Sequence, residues 1–214
     1  MLFLISEQES QLNHPRIFPA GWLENESVWL HMEYKYFLEL LRRGLVKEFF
    51  TEIHGALVPF LDPLTYGRSI LQNSSFIVSS AHEDKNLHGR GFVARLSGVT
   101  AEFLHMWLVM NMGLNPFVVD DQNRLTLRFN PLLPSWLFTK VARTYSFKLF
   151  AEIMVTYHNP RFKDTFGPKG VKAQKIVLTY PDRKSIEIAG GVLNESHAMD
   201  VREGAVTSID VYLN

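Results

Sequence analysis

The hydrophobic pattern of the first half of the chain is helical. No proline or glycine interrupts the sequence from Asn25 to Arg43, and Gly44 follows as a C-terminal cap. The pattern also predicts a second helix from about Val46 to Leu57 and a third from about Gly98 to Met112, with Ser97 as its N-cap. Apolar residues recur at helical spacing on one face of the first helix: Trp29, Leu30, Phe37, Leu40 and Leu41.

After Pro116 the period of the pattern changes to two. Apolar and polar residues alternate in "RLTLRF" (124–129) and in "SIDVYL" (208–213). Residues 171–188 predict a hairpin that turns at Pro181–Lys184, and residues 145–157 predict one long strand or two short ones. We therefore expect residues 116–214 to form a small antiparallel β unit.

A segment of more than 30 residues separates the second and third helices. It is rich in Ser, Asn, Gly, His and Arg, and it contains two apolar strings, "FIVSS" and "FVARL". Connections this long inside a compact domain are usually functional or disordered. Because the apolar strings can anchor it, we interpret the segment as an ordered functional loop.

Composition excludes some classes of protein. The chain has 46% hydrophobic and 21% charged residues, which is typical of a globular protein. Basic and acidic residues both number 22, so the net charge gives no argument for nucleic acid or an anionic membrane. There is no cysteine, and neither a signal peptide nor a membrane span is recognisable. We expect a soluble cytoplasmic protein. The 13% of aromatic residues fits either a sugar-stacking surface or an ordinary core.

Two acids stand at the predicted start of the first helix, in the stretch "GWLENESVWL" (21–30). Glu24 and Glu26 could simply complement the helix dipole. A carboxylate beside aromatic side chains could instead act as a general base or bind sugar hydroxyls. Helical spacing places Glu26 on the apolar stripe with Trp29 and Phe37, so we expect it to point inward, whereas Glu24 points elsewhere. Glu26 is therefore the stronger candidate.

Other residues that could carry chemistry form weaker patterns. The histidines at 54, 82, 88 and 105 lack metal-ligand spacing, and "HGRGF" (88–92) is not a phosphate loop because no lysine follows it. The segment "SAHEDKNLHG" (80–89) lacks the spacing of a calcium loop. No His–Asp arrangement accompanies Ser74, Ser75 or Ser97.

Two strings carry a family resemblance. "GWLENESVWLHMEYKYFLELL" and "YGRSILQNSSFIVSSAHEDKNLHGRGFVARLSGVTAEFLHMW" resemble the C-terminal part of proteins related to cellobiose phosphorylase, in or near glycoside hydrolase family 94. The resemblance covers nearly the whole chain. It implies an α+β fold in which residues 1–115 are the last helices and active-site loop of an (α/α)6 barrel. Residues 116–214 would be the small antiparallel β domain that follows the barrel.

The resemblance also implies an incomplete site. In the phosphorylases the general acid is an aspartate of an upstream region that this chain lacks, and two elements bind phosphate. One is a histidine before a helix tryptophan, and aligning that tryptophan with Trp29 places Glu26 at the position of the histidine. The other is a Thr-Gly pair, matched here by Ser97 and Gly98. A carboxylate would repel phosphate, so Glu26 either activates water, as the base of related inverting hydrolases does, or serves as a capping or hydroxyl-binding acid.

Together these patterns predict a C-terminal piece of a carbohydrate-active enzyme that acts on β-glucan-type oligosaccharides and is inactive without its N-terminal part. The expected partners are an oligosaccharide or glucan, with phosphate as an alternative second ligand, and no cofactor, metal, nucleic acid or membrane. A non-catalytic glycan-binding or interaction module and a true phosphorylase fragment are the alternatives. Glu26 is the predicted catalytic residue, and the predicted substrate-binding residues are Trp22, Asn25, Arg68, Asn73, His88, Arg90, Arg95, Ser97 and Gly98.

Overall fold

The fold is known from a computed structural model, which describes residues 17–93 and 97–214, without the side chain of Ser97. Within these residues it is an α+β fold with five α-helices, as the sequence predicted at this level. The helices are α1 (Leu30–Arg42), α2 (Val46–Ala56), α3 (Pro63–Tyr66), α4 (Ser97–Met112) and α5 (Glu195–Arg202). The strands are β1 (Val28–Trp29), β2 (Phe76–Ile77), β3 (Gly91–Phe92), β4 (Phe117–Val119), β5 (Leu125–Arg128), β6 (Thr144–Leu149), β7 (Ile153–His158), β8 (Ala173–Thr179), β9 (Ser185–Ala189), β10 (Val192–Leu193) and β11 (Ser208–Leu213).

The chain divides into two compact units. Unit 1 comprises Met1–Glu33 and His54–Thr100, and unit 2 comprises Tyr34–Ile53 and Ala101–Asn214. The predicted boundary at residue 115 falls between α4 and β4, with three short strands before it and α5 after it. The units divide elsewhere, since most of α1, α2 and α4 belongs to the same unit as the larger sheets.

Unit 1 is organised around a small antiparallel sheet with the order β1–β2–β3. Trp29 pairs with Phe76, and Phe76 pairs with Phe92. The two outer strands of this sheet thus come from the region before α1 and from the end of the long segment between α2 and α4. Within that segment residues 76–77 pair with residues 91–92, and residues 76–78 are buried. The interpretation of the whole segment as an ordered functional loop stays a prediction.

The first helix begins later than the sequence predicted. We expected it to start at Asn25, but α1 starts at Leu30, and Trp29 lies on β1. The residues before it cannot continue a helix because Leu23 (φ 47°) and Glu26 (φ 68°) adopt left-handed backbone conformations. Val28 and Trp29 instead pair with β2, as β-branched and aromatic residues often do. The ends of α2 and α4 agree with the prediction to within one residue.

Unit 2 contains a five-stranded sheet with the order β6–β7–β11–β8–β9. Alternate residues of its strands face the core, and Val155, Tyr157, Ile176, Ile209 and Val211 are fully buried. The predicted hairpin is formed by β8 and β9, and the segment 145–157 forms two short strands. A three-stranded sheet, β10–β5–β4, completes the strand-rich part of the unit.

One strand pair departs from the predicted antiparallel arrangement. β11 lies parallel to β7 and antiparallel to β8. The chain leaves β9 and passes through β10 and α5. It then returns to insert β11 between β7 and β8, which follow one another along the chain. A crossover of this length allows a parallel neighbour, which a hairpin cannot provide. The β part is therefore mostly antiparallel, with one parallel pair.

A buried hydrogen bond ties α4 to the five-stranded sheet. The hydroxyl of Tyr157, which is fully buried on β7, donates to the backbone carbonyl of Asn111 at 2.6 Å. Carbonyls in the last turn of a helix have no partner within the helix, so this bond satisfies one of them. Burial raises the pKa of Tyr157 well above its ordinary value, which keeps the phenol protonated as the donor.

Candidate functional site

The stretch that contains the candidate acid folds as a braced turn. The backbones of Trp22 and Asn25 exchange hydrogen bonds of 3.2 and 3.1 Å, and the side chain of Asn25 donates to the carbonyl of Phe18 at 2.8 Å. The carbonyl of Leu23 accepts from the Ser27 hydroxyl and, at 3.1 Å, from the indole of Trp29. We call residues 22–27 the Trp22–Ser27 turn.

Glu26 lies on this turn in a different setting from the one we predicted. Its side chain is exposed and precedes α1 by four residues, so it neither points inward on a helical stripe nor complements the start of that helix. No hydrogen bond or ion pair joins its carboxylate to another described residue. A left-handed conformation is uncommon for a residue other than glycine and carries a cost. Such strained residues cluster at functional sites.

An aromatic cluster lies beside the turn. The ring of Trp22 contacts Phe92 at 4.5 Å, Phe76 at 5.2 Å and His82 at 6.2 Å, measured between ring centroids. Trp29 contacts Phe76 from the neighbouring strand at 5.8 Å. Trp22 is only partly buried. The paired strands β2 and β3 supply two of these rings, so Trp22 packs against strands that are hydrogen-bonded to each other.

The histidines near Trp22 make bonds within the loop. A ring nitrogen of His88 lies 2.7 Å from the carbonyl of His82, and the Nδ1 atom of His82 accepts from the backbone N–H of Asp84 at 3.1 Å. Asp84 in turn caps a short 3₁₀ turn, Lys85–Leu87. In the structure, His88 therefore helps to hold the shape of residues 82–90. Its predicted contact with substrate stays a prediction.

Arg90 packs against the residue that precedes Arg68 in the sequence. The Arg90 guanidinium packs over Gly67, where an added Cβ atom would lie 3.0 Å from its Nε atom. Arg68 is close enough to Tyr66 for its charge to lower the pKa of that phenol, against the larger raising effect of burial. The Nε atom of Arg68 is buried and has no hydrogen-bond partner among the described residues. Arg68 could thus donate to a ligand that reaches this position.

Tyr66 anchors the segment that carries these arginines, a role that the sequence did not reveal. Its hydroxyl donates to the carbonyl of Gln72 at 2.8 Å, and its ring packs against the backbone of Gly91. Asn73 follows Gln72 directly and is partly buried. The only signal in the sequence was the glycine at 91 inside an apolar string, which indicates close approach to the backbone.

The remaining predicted site residues are less informative. Arg95 and the side chain of Ser97 lie outside the described residues, while Gly98 is exposed in the first turn of α4. Among the described residues, no hydrogen bond or ion pair joins Glu26 to Arg68, His88 or Arg90. The predicted convergence of these side chains on Glu26 therefore stays a prediction.

Unit 2 contains an open hollow of about 650 Å³ at the turn between β8 and β9, and none of the predicted site residues lines it. The phenol of Tyr180 borders it and donates to Asp200 at 2.6 Å. Burial, followed by the hydrogen bond and the negative charge of Asp200, raises the pKa of Tyr180 to about 12. The open shape and the engaged phenol make the hollow a poor candidate for chemistry.

Within residues 17–93 and 97–214, no group of three or more His, Asp or Glu side chains is arranged to hold a metal ion. Over the same described ranges, none of the helices is both long and apolar enough to cross a membrane. The fold and the site thus define an α+β protein in which one turn carries an exposed carboxylate and a partly buried tryptophan. No protein-family model and no curated protein matches the chain.

Proposed function

We propose that this chain is the C-terminal part of a carbohydrate-active enzyme that acts on β-linked glucan or a related oligosaccharide. In this proposal residues 1–115 supply the last helices and a loop of an (α/α)6 barrel, and the enzyme is cytoplasmic. The observation that carries the proposal is the Trp22–Ser27 turn, which carries an exposed carboxylate, Glu26, and a partly buried tryptophan ring, Trp22, within six residues. The sequence resemblance supplies the class of substrate.

The chemistry of the turn suits a sugar. A pyranose ring presents apolar C–H faces and equatorial hydroxyls, so it can stack on an aromatic ring while a carboxylate accepts hydrogen bonds from it. Trp22 offers the ring, and Glu26 offers two oxygens that no described residue occupies. Hydrogen bonds to a charged acceptor are worth about 1.5–3 kcal/mol each. Arg68 and Arg90 add donors in the same unit.

Glu26 is the residue that we propose as the general base. A base must lie within hydrogen-bond reach of the water that it activates, and the upstream part of the enzyme would have to enclose this exposed turn. The general acid would come from that upstream part as well. The chain alone would therefore bind sugar without catalysing a reaction. The negative charge of Glu26 would repel phosphate, so phosphate would not bind beside it.

The test is turnover of β-glucan oligosaccharides by the complete enzyme, with and without phosphate. Glu26→Gln keeps the shape of the side chain and removes the base, so we expect a loss of about 10²–10⁴-fold in rate. Glu24→Gln is the matched control, because Glu24 is another exposed acid of the same turn. Full activity of Glu26→Gln would refute the base role. Turnover that depends on phosphate would favour the phosphorylase alternative.

A glycan-binding module without catalysis is the second candidate. It is favoured by the exposed setting of Glu26, since catalytic sites usually lie in concave pockets that bury most of the ligand. The upstream reading frame separates the two candidates. An in-frame barrel with an aspartate acid supports the enzyme, whereas a stop codon before Met1, with stable expression of this chain alone, supports the module.

A further inference from the structure

Two loops of unit 2 meet at one end of the five-stranded sheet. Residues 139–143 lead into β6, and residues 159–172 connect β7 to β8. The end of β7 pairs with the start of β6, and β8 begins beside the end of β11. All of these strand termini therefore lie at the same end of the sheet. The backbone N–H of Asn159 donates to the carbonyl of Arg143 at 2.9 Å, and the Arg143 side chain donates to the carbonyl of Pro160.

This end of the sheet is strongly basic although the chain is neutral as a whole. The two loops contain one acid, Asp164, and that carboxylate already accepts the backbone N–H of Ser135 at 2.7 Å. Against it stand six exposed basic side chains, which we call the basic end: Lys140, Arg143, Arg161, Lys163, Lys169 and Lys172. The turns at the opposite end, 150–152, 180–184 and 203–207, contain three acids and two bases.

Four members of the basic end are unengaged. Lys140, Arg161, Lys163 and Lys169 make no side-chain hydrogen bond or ion pair within the described part of the chain. The loops that present them are nevertheless fixed. The buried hydroxyl of Thr165 donates to the carbonyl of Pro131 at 2.6 Å. Two further hydrogen bonds join residues within the 159–171 loop to one another. Like charges on an ordered surface repel one another, and this repulsion destabilises the unbound protein. An anionic partner would reduce the repulsion.

We propose that the basic end binds an acidic polysaccharide through its sulfate or carboxylate groups. Lysines predominate, and these flexible point charges suit a polymer with spaced anions better than one bidentate ligand. Trp136, half exposed next to the Ser135–Asp164 bond, offers a ring for a sugar. Duplex DNA is disfavoured because the described residues of this end form loops and one short 3₁₀ helix, Ser135–Leu137, and no α-helix or β-ribbon there carries the cations into a groove. Single-stranded nucleic acid is also disfavoured, because its binding sites use a series of stacking rings, whereas Trp136 is a single exposed ring. This inference is independent of the function proposed for unit 1.

The experiment measures binding of a heparin oligosaccharide to the full chain by fluorescence titration at several salt concentrations. We expect affinity to fall steeply with salt, as it does for contacts that release counterions. Replacing Lys140, Arg161, Lys163 and Lys169 with Gln should weaken binding at least about tenfold and flatten the salt dependence. The double variant Lys163→Gln/Lys169→Gln should have an intermediate effect, and it serves if the quadruple variant does not fold.

The matched control replaces Lys148, Arg183, Lys184 and Arg202, which are exposed cations away from the basic end, with Gln. It changes the net charge by the same amount, so it should retain nearly all of the affinity. Equal losses in the two quadruple variants would show that binding follows net charge alone, and the proposal would be wrong. It would also be overturned by absence of heparin binding to the wild-type chain, or by tighter binding of single-stranded DNA of equal charge.

Discussion

Replacing Glu26 with glycine should stabilise the protein. Glu26 has a φ of 68°, a left-handed conformation that costs a residue with a Cβ atom roughly 1–2 kcal/mol and costs glycine almost nothing. Glycine adds about 0.4–1 kcal/mol of conformational entropy to the unfolded chain, which opposes this gain. Because the carboxylate of Glu26 makes no bond to a described residue, little else is lost. The net expectation is a gain of about 0.5–1 kcal/mol in the free energy of unfolding.

Urea denaturation of the full chain measures this gain, and a thermal melt should shift upward by about 2–4 °C per kcal/mol for a chain of this size. Glu24→Gly is the control, because Glu24 belongs to the same exposed turn and does not have a positive φ. That variant should lose about 0.4–1 kcal/mol. If both glycine variants destabilise the protein equally, the turn stores no strain at Glu26. A Glu26→Gly variant that gains stability and loses sugar binding would show that Glu26 is retained for function at a cost in stability.

Three further predictions follow from single contacts. Gly91→Ala should cost about 1–3 kcal/mol, because the added Cβ atom would lie 2.2 Å from the buried ring of Tyr66. Tyr157→Phe should cost about 1–3 kcal/mol in urea denaturation, because it leaves the carbonyl of Asn111 without its 2.6 Å partner. Tyr180 should ionise near pH 12, which tyrosinate absorbance can follow. Its contribution to the free energy of unfolding should be complete below the ordinary tyrosine pKa of about 10 and should decline as pH rises toward 12.

Each of these predictions has a matched control. Gly55→Ala should stabilise the protein, because the added Cβ atom meets nothing within 4 Å and alanine favours the helix. Tyr36→Phe should have little effect, since this tyrosine is 44% exposed. Tyr180→Phe should remove the additional alkaline decline. Equal effects of a variant and its control would contradict the contact that the prediction rests on.

The strands of the β part could be predicted because alternating apolar and polar residues indicate which face of each strand is buried. Ile209, Val211 and Leu213 alternate with polar residues, and all three are buried in the structure. Periodicity fixes which face of a strand is buried, but it does not fix the neighbour of that strand. The parallel pairing of β11 with β7 therefore escaped prediction, since it depends on where the chain returns after α5.

The candidate site was harder to predict because its shape depends on backbone conformations that the residue types do not indicate. Neither Leu23 nor Glu26 is a residue that favours a left-handed conformation, yet both adopt one. A helical wheel drawn through the Trp22–Ser27 turn therefore placed Glu26 inward when it is exposed. The convergence of Trp22 with Phe76 and Phe92 depends on strand pairing across distant parts of the sequence, which no local pattern contains.

The central claim, that the Trp22–Ser27 turn binds sugar, is tested most directly by titration calorimetry of the full chain with a β-glucan oligosaccharide. Loss of hydrogen bonds to a charged acceptor costs about 1.5–3 kcal/mol, so Glu26→Ala should weaken affinity by at least about tenfold. Glu24→Ala, which removes the other exposed acid of the same turn, should leave affinity unchanged. Absence of binding to the wild-type chain, or an equal loss of affinity in the two variants, would contradict the account.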